Sequence, residues 1–164
     1  MSTTGLPPPP PPIDVVVDRA LAAHLDRPGA LLPILHAIQD ELGYVPPDAI
    51  ARIAHALNQT RAEVHGVVTF YHDFRTAAPG RHVVKLCRAE ACQATGCDRL
   101  IDETKARFGA GLGETRADGA VTFDAVYCLG NCALGPSAMV DGRLHGRVTV
   151  PRLEALLPDV AVRR

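Results

Sequence analysis

The hydrophobic period of the chain changes once, across Thr76-Ala77-Ala78-Pro79-Gly80, from a three- and four-residue repeat to alternation. A helical stripe and an alternating strand need different partners to bury them, so the switch dictates an α+β chain with its helices first. Before it, Val15, Val16, Ala20, Leu21 and Ala23 define a first helix ending near Leu25, ahead of Arg27-Pro28-Gly29. Leu31, Leu32, Ile34, Leu35, Ile38 and Leu42 define a second, with Gly43 at the position of a C-terminal cap. Pro46 and Pro47 open a third, carrying Ile50, Ile53, Ala54 and Leu57, with Asn58 as a left-handed terminator. Thr60 and Glu63 form a capping box that starts a fourth, carrying Val64, Val67 and Val68.

After the switch, residues 82–86 read as a strand and 94–108 as one helix. Asp118-Gly119 is a turn signal before a second strand, 121–127. Met139-Val140 and residues 144–148 flank Asp141-Gly142, a dipeptide favoured in tight hairpins, and a short helix over 151–157 closes the chain. This order resembles the thioredoxin fold. The expected organisation is a disordered Pro-rich tail over 1–12, a helical bundle over 13–75 and a thioredoxin-like α/β domain over 81–164. The six consecutive prolines of the tail, residues 7–12, predict an extended polyproline II rod.

Composition narrows the function classes. With 17 Lys+Arg against 18 Asp+Glu and no block of either sign, the chain lacks the clustered cations that phosphate binding needs, so no nucleic-acid partner is expected. The longest apolar run, 30–35, contains Pro33 and is far short of the roughly 20 residues that span a bilayer. The N-terminus has neither an early positive charge nor an apolar segment, so no membrane insertion or secretion is expected and a cytoplasmic location is. No phosphate loop, dinucleotide fingerprint or nucleophile-base arrangement stands out, so no catalytic residues are expected on this chain.

The chemistry lies in the cysteines. There are five, an odd number in a chain expected to face a reducing compartment, which favours metal or redox chemistry over a disulfide framework. Cys87 and Cys92 form a C-x4-C pair at the end of the first strand, and Cys128 and Cys132 a C-x3-C pair at the end of the second. If the strands are neighbours, both pairs emerge at one sheet edge. Structural zinc also takes four cysteines, in a binding module of a different class, although its knuckles usually carry C-x2-C turns. A redox dithiol wants C-x-x-C, which does not occur here. None of the seven histidines lies between Cys87 and Cys132, which excludes a Rieske centre. The wider spacing suits a [2Fe-2S] rhomb, with each thiolate pair on one iron. Cys97 falls outside the two pairs and reads as a small buried side chain.

From Ile13 onward the sequence resembles the thioredoxin-like [2Fe-2S] subunits that accompany the flavoprotein of respiratory complex I, NAD-linked hydrogenases and NAD-dependent formate dehydrogenases. The resemblance is carried by Leu32-Pro33-Ile34-Leu35-His36-Ala37-Ile38-Gln39-Asp40-Glu41-Leu42-Gly43-Tyr44-Val45-Pro46, by Val64-His65-Gly66-Val67-Val68-Thr69-Phe70-Tyr71, and by both cysteine pairs with Cys128-Leu129-Gly130-Asn131-Cys132. It implies that Cys87, Cys92, Cys128 and Cys132 ligate one [2Fe-2S] cluster. The segment Cys87-Arg88-Ala89-Glu90-Ala91-Cys92-Gln93-Ala94 looks most like the gamma subunit of soluble, molybdenum-containing formate dehydrogenases. That likeness implies an electron-transfer subunit of an NAD-dependent oxidoreductase. Its partners would be a flavoprotein subunit holding FMN and the NAD site, and a larger iron-sulfur subunit holding the molybdenum cofactor.

Three further expectations concern the surroundings of the cysteines. Arg88 and the helix after Cys92 are placed to favour the more negative, reduced state of a centre. Gly130 is expected to permit close approach to sulfur, and Gly135 to form a turn before Pro136. His36, His55 and His65 lie on packing helices and are expected to bind no metal.

Overall fold

The computed structural model describes residues 11–162. Residues 1–10, which hold most of the expected polyproline segment, and residues 163–164 lie outside it. The chain divides between Ala78 and Pro79 into two compact units.

The first unit is a bundle of four helices: α1 (Ile13–His24), α2 (Leu31–Leu42), α3 (Pro47–Ala56) and α4 (Arg61–Phe70). Local chemistry sets their ends. Gly43 stops α2 in the left-handed region at φ 83°, where its missing Cβ removes the steric cost. Asn58, beyond the end of α3, also has positive φ, 53°. At the start of α4 the Glu63 amide donates to the Thr60 hydroxyl while the Thr60 amide donates to the Glu63 carboxylate, the two halves of a capping box. The apolar stripes meet in one core in which Ile34, Leu35, Ile38, Val45, Ile53 and Val64 are fully buried. Burial of each large side chain stabilises the bundle by roughly 1.5–3 kcal/mol. Gln39 ties the segment after α4 to α2: its amide group donates to the Asp73 carbonyl at 2.7 Å and its oxygen accepts from the Arg75 amide at 2.7 Å. Arg52 on α3 pairs with Asp14 and Asp18 on α1, but these groups are solvent-exposed and contribute only about 0–1 kcal/mol each.

The second unit is built on a five-stranded mixed sheet of β1 (His82–Cys87), β2 (Glu114–Thr115), β3 (Val121–Val126), β4 (Ala138–Val140) and β5 (Arg143–His145). The strand order is β2-β3-β1-β4-β5. Central β1 runs parallel to β3 and antiparallel to β4. A parallel pair needs a crossover, supplied here by α5 (Glu90–Ala94) and α6 (Cys97–Phe108). The hairpin between β4 and β5 turns on Asp141 (φ 48°) and Gly142 (φ 79°), the two positive φ values of a type I′ turn. Helix α7 (Val150–Leu156) begins where the Arg152 amide donates to the Thr149 hydroxyl. The core lies between sheet and helices, around Val84, Leu86, Leu100, Phe123, Leu153 and Leu157, with the rings of Phe108 and Phe123 5.4 Å apart.

Two local expectations are corrected, and two short elements are added. The helix expected over 94–108 begins only at Cys97, because Gly96 at φ 95° parts it from a short helix, α5, that precedes it over Glu90–Ala94. Cys92 therefore lies inside α5, with Cys87 at the strand end before it. The strand over 144–148 ends at His145, and the Val148 amide donates to the Pro136 carbonyl instead of a sheet partner. The two-residue β2 and a 3-10 turn at Cys132–Leu134 carry no periodic signal.

Candidate metal centre

The register of β1 on β3 builds the site. Cys87, the last residue of β1, stands opposite Val126, the last of β3, and Cys128 follows two residues later. Both chain segments leave the same edge of the sheet. Helix α5 starts at Glu90, three residues after Cys87, and carries Cys92, while the 3-10 turn carries Cys132. The sheet thus brings the two cysteine pairs together.

The sulfurs meet pairwise. Cys87 and Cys92 hydrogen-bond through their side chains, and Cys128 Sγ lies 3.8 Å from Cys132 Sγ. The pairs also touch each other, since the backbone amides of Cys128 and Leu129 donate to the Cys87 sulfur and the charges of Cys87 and Cys132 interact. Their exposure differs: Cys87 and Cys92 are buried, Cys128 and Cys132 exposed. Among the described residues no three His, Cys, Asp or Glu side chains converge on one metal-ion position. The arrangement is two facing pairs, in keeping with a group that has a pair of metal ions. Four thiols with no carboxylate or imidazole form a soft donor set of the kind that holds iron-sulfur clusters or zinc.

Backbone dipoles make the pocket receptive to negative charge. Burial pushes the Cys87 thiol up, yet the amides of Ala89, Cys128 and Leu129 and the Cys92 thiol together bring it below the ordinary cysteine value. The Cys92 thiol is held high, first by burial and then by its neighbour Cys87, against hydrogen bonds from Ser137. Cys132 is raised by its hydrogen bond with Cys128 and by charge repulsion from it. A thiolate is the metal ligand, and amides aimed at sulfur stabilise it before any metal arrives.

Cys97 opens α6 at 1% exposure and packs in one small group with Cys87 and Cys92. Its thiol faces the Asp98 carboxylate at 3.8 Å, and burial, then the Asp98 charge, push it up. Arg88 lies close enough for its charge to act on Cys97 and stands 3.8 Å from Asp98. Its place beside the cysteines was legible from sequence, whereas the role of Ser137 was not. Ser137 has no motif and is revealed only by its burial and its contact with Cys92.

The two glycines are selected for different reasons. Gly130 has φ 75° and open space where a Cβ would stand, so backbone conformation selects it, and its amide donates to Cys128 Sγ at 3.4 Å. Gly135 has an ordinary φ of −62°, but a Cβ there would lie 2.5 Å from Thr95 Oγ1. Close approach selects Gly135. His36, His55 and His65 lie on α2, α3 and α4, and the His36 ring packs against Phe74 with centroids 4.9 Å apart.

The fold of the second unit is thioredoxin-like, and one end of its sheet presents two cysteine pairs. Residues 17–161 match the thioredoxin-like [2Fe-2S] ferredoxin family, and the chain belongs to it. It is 33% identical over 141 residues to a NADH-quinone oxidoreductase subunit of Pseudomonas aeruginosa, covering 86% of this chain and 85% of that one. It is 30% identical to the NADP-reducing hydrogenase subunit HndA of Solidesulfovibrio fructosivorans, covering 81% and 78%. Among solved structures, an NAD+-reducing [NiFe]-hydrogenase in the H2-reduced state superposes with a TM-score of 0.67 at 25% identity. That match covers 79% of this chain, which spans only 22% of the hydrogenase chain.

Proposed function

We propose that Cys87, Cys92, Cys128 and Cys132 hold one [2Fe-2S] cluster, and that the chain is the electron-transfer subunit of a multisubunit NAD-dependent formate dehydrogenase. The observation that carries the ligand set is the meeting of the pairs, with the Cys128 and Leu129 amides donating to the Cys87 sulfur. A bound [2Fe-2S] cluster supplies a one-electron carrier, and this chain's residues hold it, shield one side and aim amide dipoles at its ligands. The exposed pair, Cys128 and Cys132, marks the face that exchanges electrons with an FMN- and NAD-binding flavoprotein subunit.

The formate dehydrogenase reading is supported by the run from Cys87 to Ala94, and it adds a larger subunit with a molybdenum cofactor as the second partner. The equivalent subunit of an NAD-linked hydrogenase or of complex I is the second reading, favoured by the relatives named above. Either complex would hold the chain on the cytoplasmic side through its partners. No helix among the described residues is long and apolar enough to cross a membrane. The test is isolation of the complex from its source. Equal iron and acid-labile sulfide, an EPR signal on reduction and co-purifying formate:NAD activity support the proposal. Hydrogen:NAD or NADH:quinone activity selects the second reading, and colourless, zinc-loaded protein overturns the cluster.

A further inference from the structure

The five cysteines fall into two groups by access. Cys87, Cys92 and Cys97 are 3%, 2% and 1% exposed and pack together in one buried cluster. Cys128 and Cys132 are exposed, and their sulfurs lie 3.8 Å apart. Only Leu129, Gly130 and Asn131 separate them in the chain. Gly130 bends that segment at φ 75°, and its amide donates to Cys128 Sγ at 3.4 Å. A disulfide joins sulfurs at about 2.0 Å, a distance that two exposed side chains reach by rotation, with no buried atom to displace. The short connection also makes closure intramolecular, which favours it over attack by a second molecule.

We propose that Cys128 and Cys132 form a reversible disulfide in the chain freed of its cluster, withholding half of the ligand set until a thiol reduces it. The effect on cluster loading rests on the ligand set proposed above, whereas the disulfide itself does not.

The oxidant is a small-molecule disulfide of the glutathione type. One cysteine thiolate attacks a sulfur of oxidised glutathione, so a protein–glutathione S–S bond forms, the glutathione S–S bond breaks and one glutathione thiolate leaves. The second cysteine thiolate then attacks the protein sulfur of this mixed disulfide and expels the other glutathione. The protein gives up two electrons and two protons, and the two departing glutathione thiolates take both. The three buried cysteines are shielded from a tripeptide, and a thiolate bound to iron has no free lone pair with which to attack.

The experiment uses the full-length chain, stripped of metal by reductive chelation, desalted without oxygen and held in oxidised glutathione. Free thiols are alkylated and counted by mass, linked peptides are mapped, and iron and sulfide are then offered with and without prior dithiothreitol. The expected result is loss of two of the five free thiols, a single link between 128 and 132, no retained glutathione, and no cluster uptake until dithiothreitol restores it. C128S and C132S should each retain one glutathione on the remaining exposed cysteine, with far-UV circular dichroism showing both folded, and C97A should behave as wild type. Five free thiols, a link through Cys87, Cys92 or Cys97, or stable glutathione adducts on the wild-type chain overturn the proposal. A 128–132 disulfide that forms equally in the iron-loaded chain, or that leaves cluster uptake intact, supports the oxidation site and overturns the ligand set.

Discussion

Gly135 and Thr95 meet where the turn after Cys132 crosses the break between α5 and α6, so closely that a Cβ on Gly135 would stand 2.5 Å from the threonine hydroxyl oxygen. That hydroxyl already donates to the carbonyls of Ala91 and Cys92, at 3.1 Å and 3.0 Å, and is not free to swing away. The expected cost of Gly135→Ala is about 1–3 kcal/mol of overpacking. Thr95→Ala in the same chain should recover part of it, whereas Gly130→Ala, with open space but positive φ, should cost roughly 1–2 kcal/mol that no change at Thr95 relieves. Urea denaturation of the single and double variants checks both statements, and strict additivity at 95 and 135 would count against the contact.

Cysteine substitutions separate ligands from the bystander. Cys92→Ala and Cys128→Ala should each lose the cluster, one from the buried pair and one from the exposed pair, while Cys97→Ala keeps it. Iron and sulfide content with the EPR spectrum of the reduced protein reads this directly. Full content in either of the first two variants refutes the ligand set.

His82 links three parts of the second unit. Its ring nitrogens lie 2.7 Å from Asp141 in the β4–β5 turn and 2.9 Å from Asp159 after α7. The hydrogen bond with Asp141, above all, raises its pKa above the ordinary 6.5, although burial opposes this. A raised folded-state pKa means the stabilisation is fully present below the unfolded value and is lost as pH rises through the folded one. Stability measured by urea melts should therefore fall from mildly acidic toward mildly alkaline pH, and His82→Ala should flatten that slope. An unchanged slope in the variant would dismiss the linkage.

The capping box is a local test of the bundle. Thr60→Ala removes the hydroxyl that accepts the Glu63 amide and should cost about 0.5–2 kcal/mol, seen as a lower denaturation midpoint with an unchanged denaturant slope. Cysteine chemistry should be untouched, so cluster content serves as the internal control.

Chelation should empty the metal centre without melting the sheet. Cys87, Cys92 and Cys97 form a cluster of their own that meets the larger core of Val84, Leu86, Phe108, Phe123 and Leu153 only through Ile101 among the packed residues. After reductive chelation the visible absorbance should vanish while far-UV circular dichroism is retained. Collapse of the dichroism would place this chain with metal-dependent folds, in which metal binding is the folding energy.

What was legible in the sequence was what single residues enforce. Gly43, the Thr60–Glu63 pair and Asp141-Gly142 each admit few backbone conformations, and the helices and the turn they set match the expected ones closely. Periodicity missed α5, whose five residues are too few to show a helical period, and set the start of α6 at Ala94 because only the positive φ of Gly96 parts the two helices. A two-residue strand has no period to detect. The strand-end placement of the cysteines was readable, but their grouping into facing pairs depends on the β1–β3 register, and a long-range pairing leaves no mark in local sequence. Gly130 and Gly135 show the same limit: a glycine announces a constraint without saying whether it comes from its own backbone or from a neighbour distant in sequence.

The cysteine group and the aliphatic core are distinct buried clusters joined through Ile101, so the sheet that shapes the α/β unit is built mainly from apolar packing away from the sulfurs. If chelation leaves the fold standing, the exposed Cys128 and Cys132 leave one side of the centre open to its replacement. The service life of the electron carrier is then set by the chemistry of sulfur and iron, and that of the polypeptide by the packing of its core, so neither need limit the other.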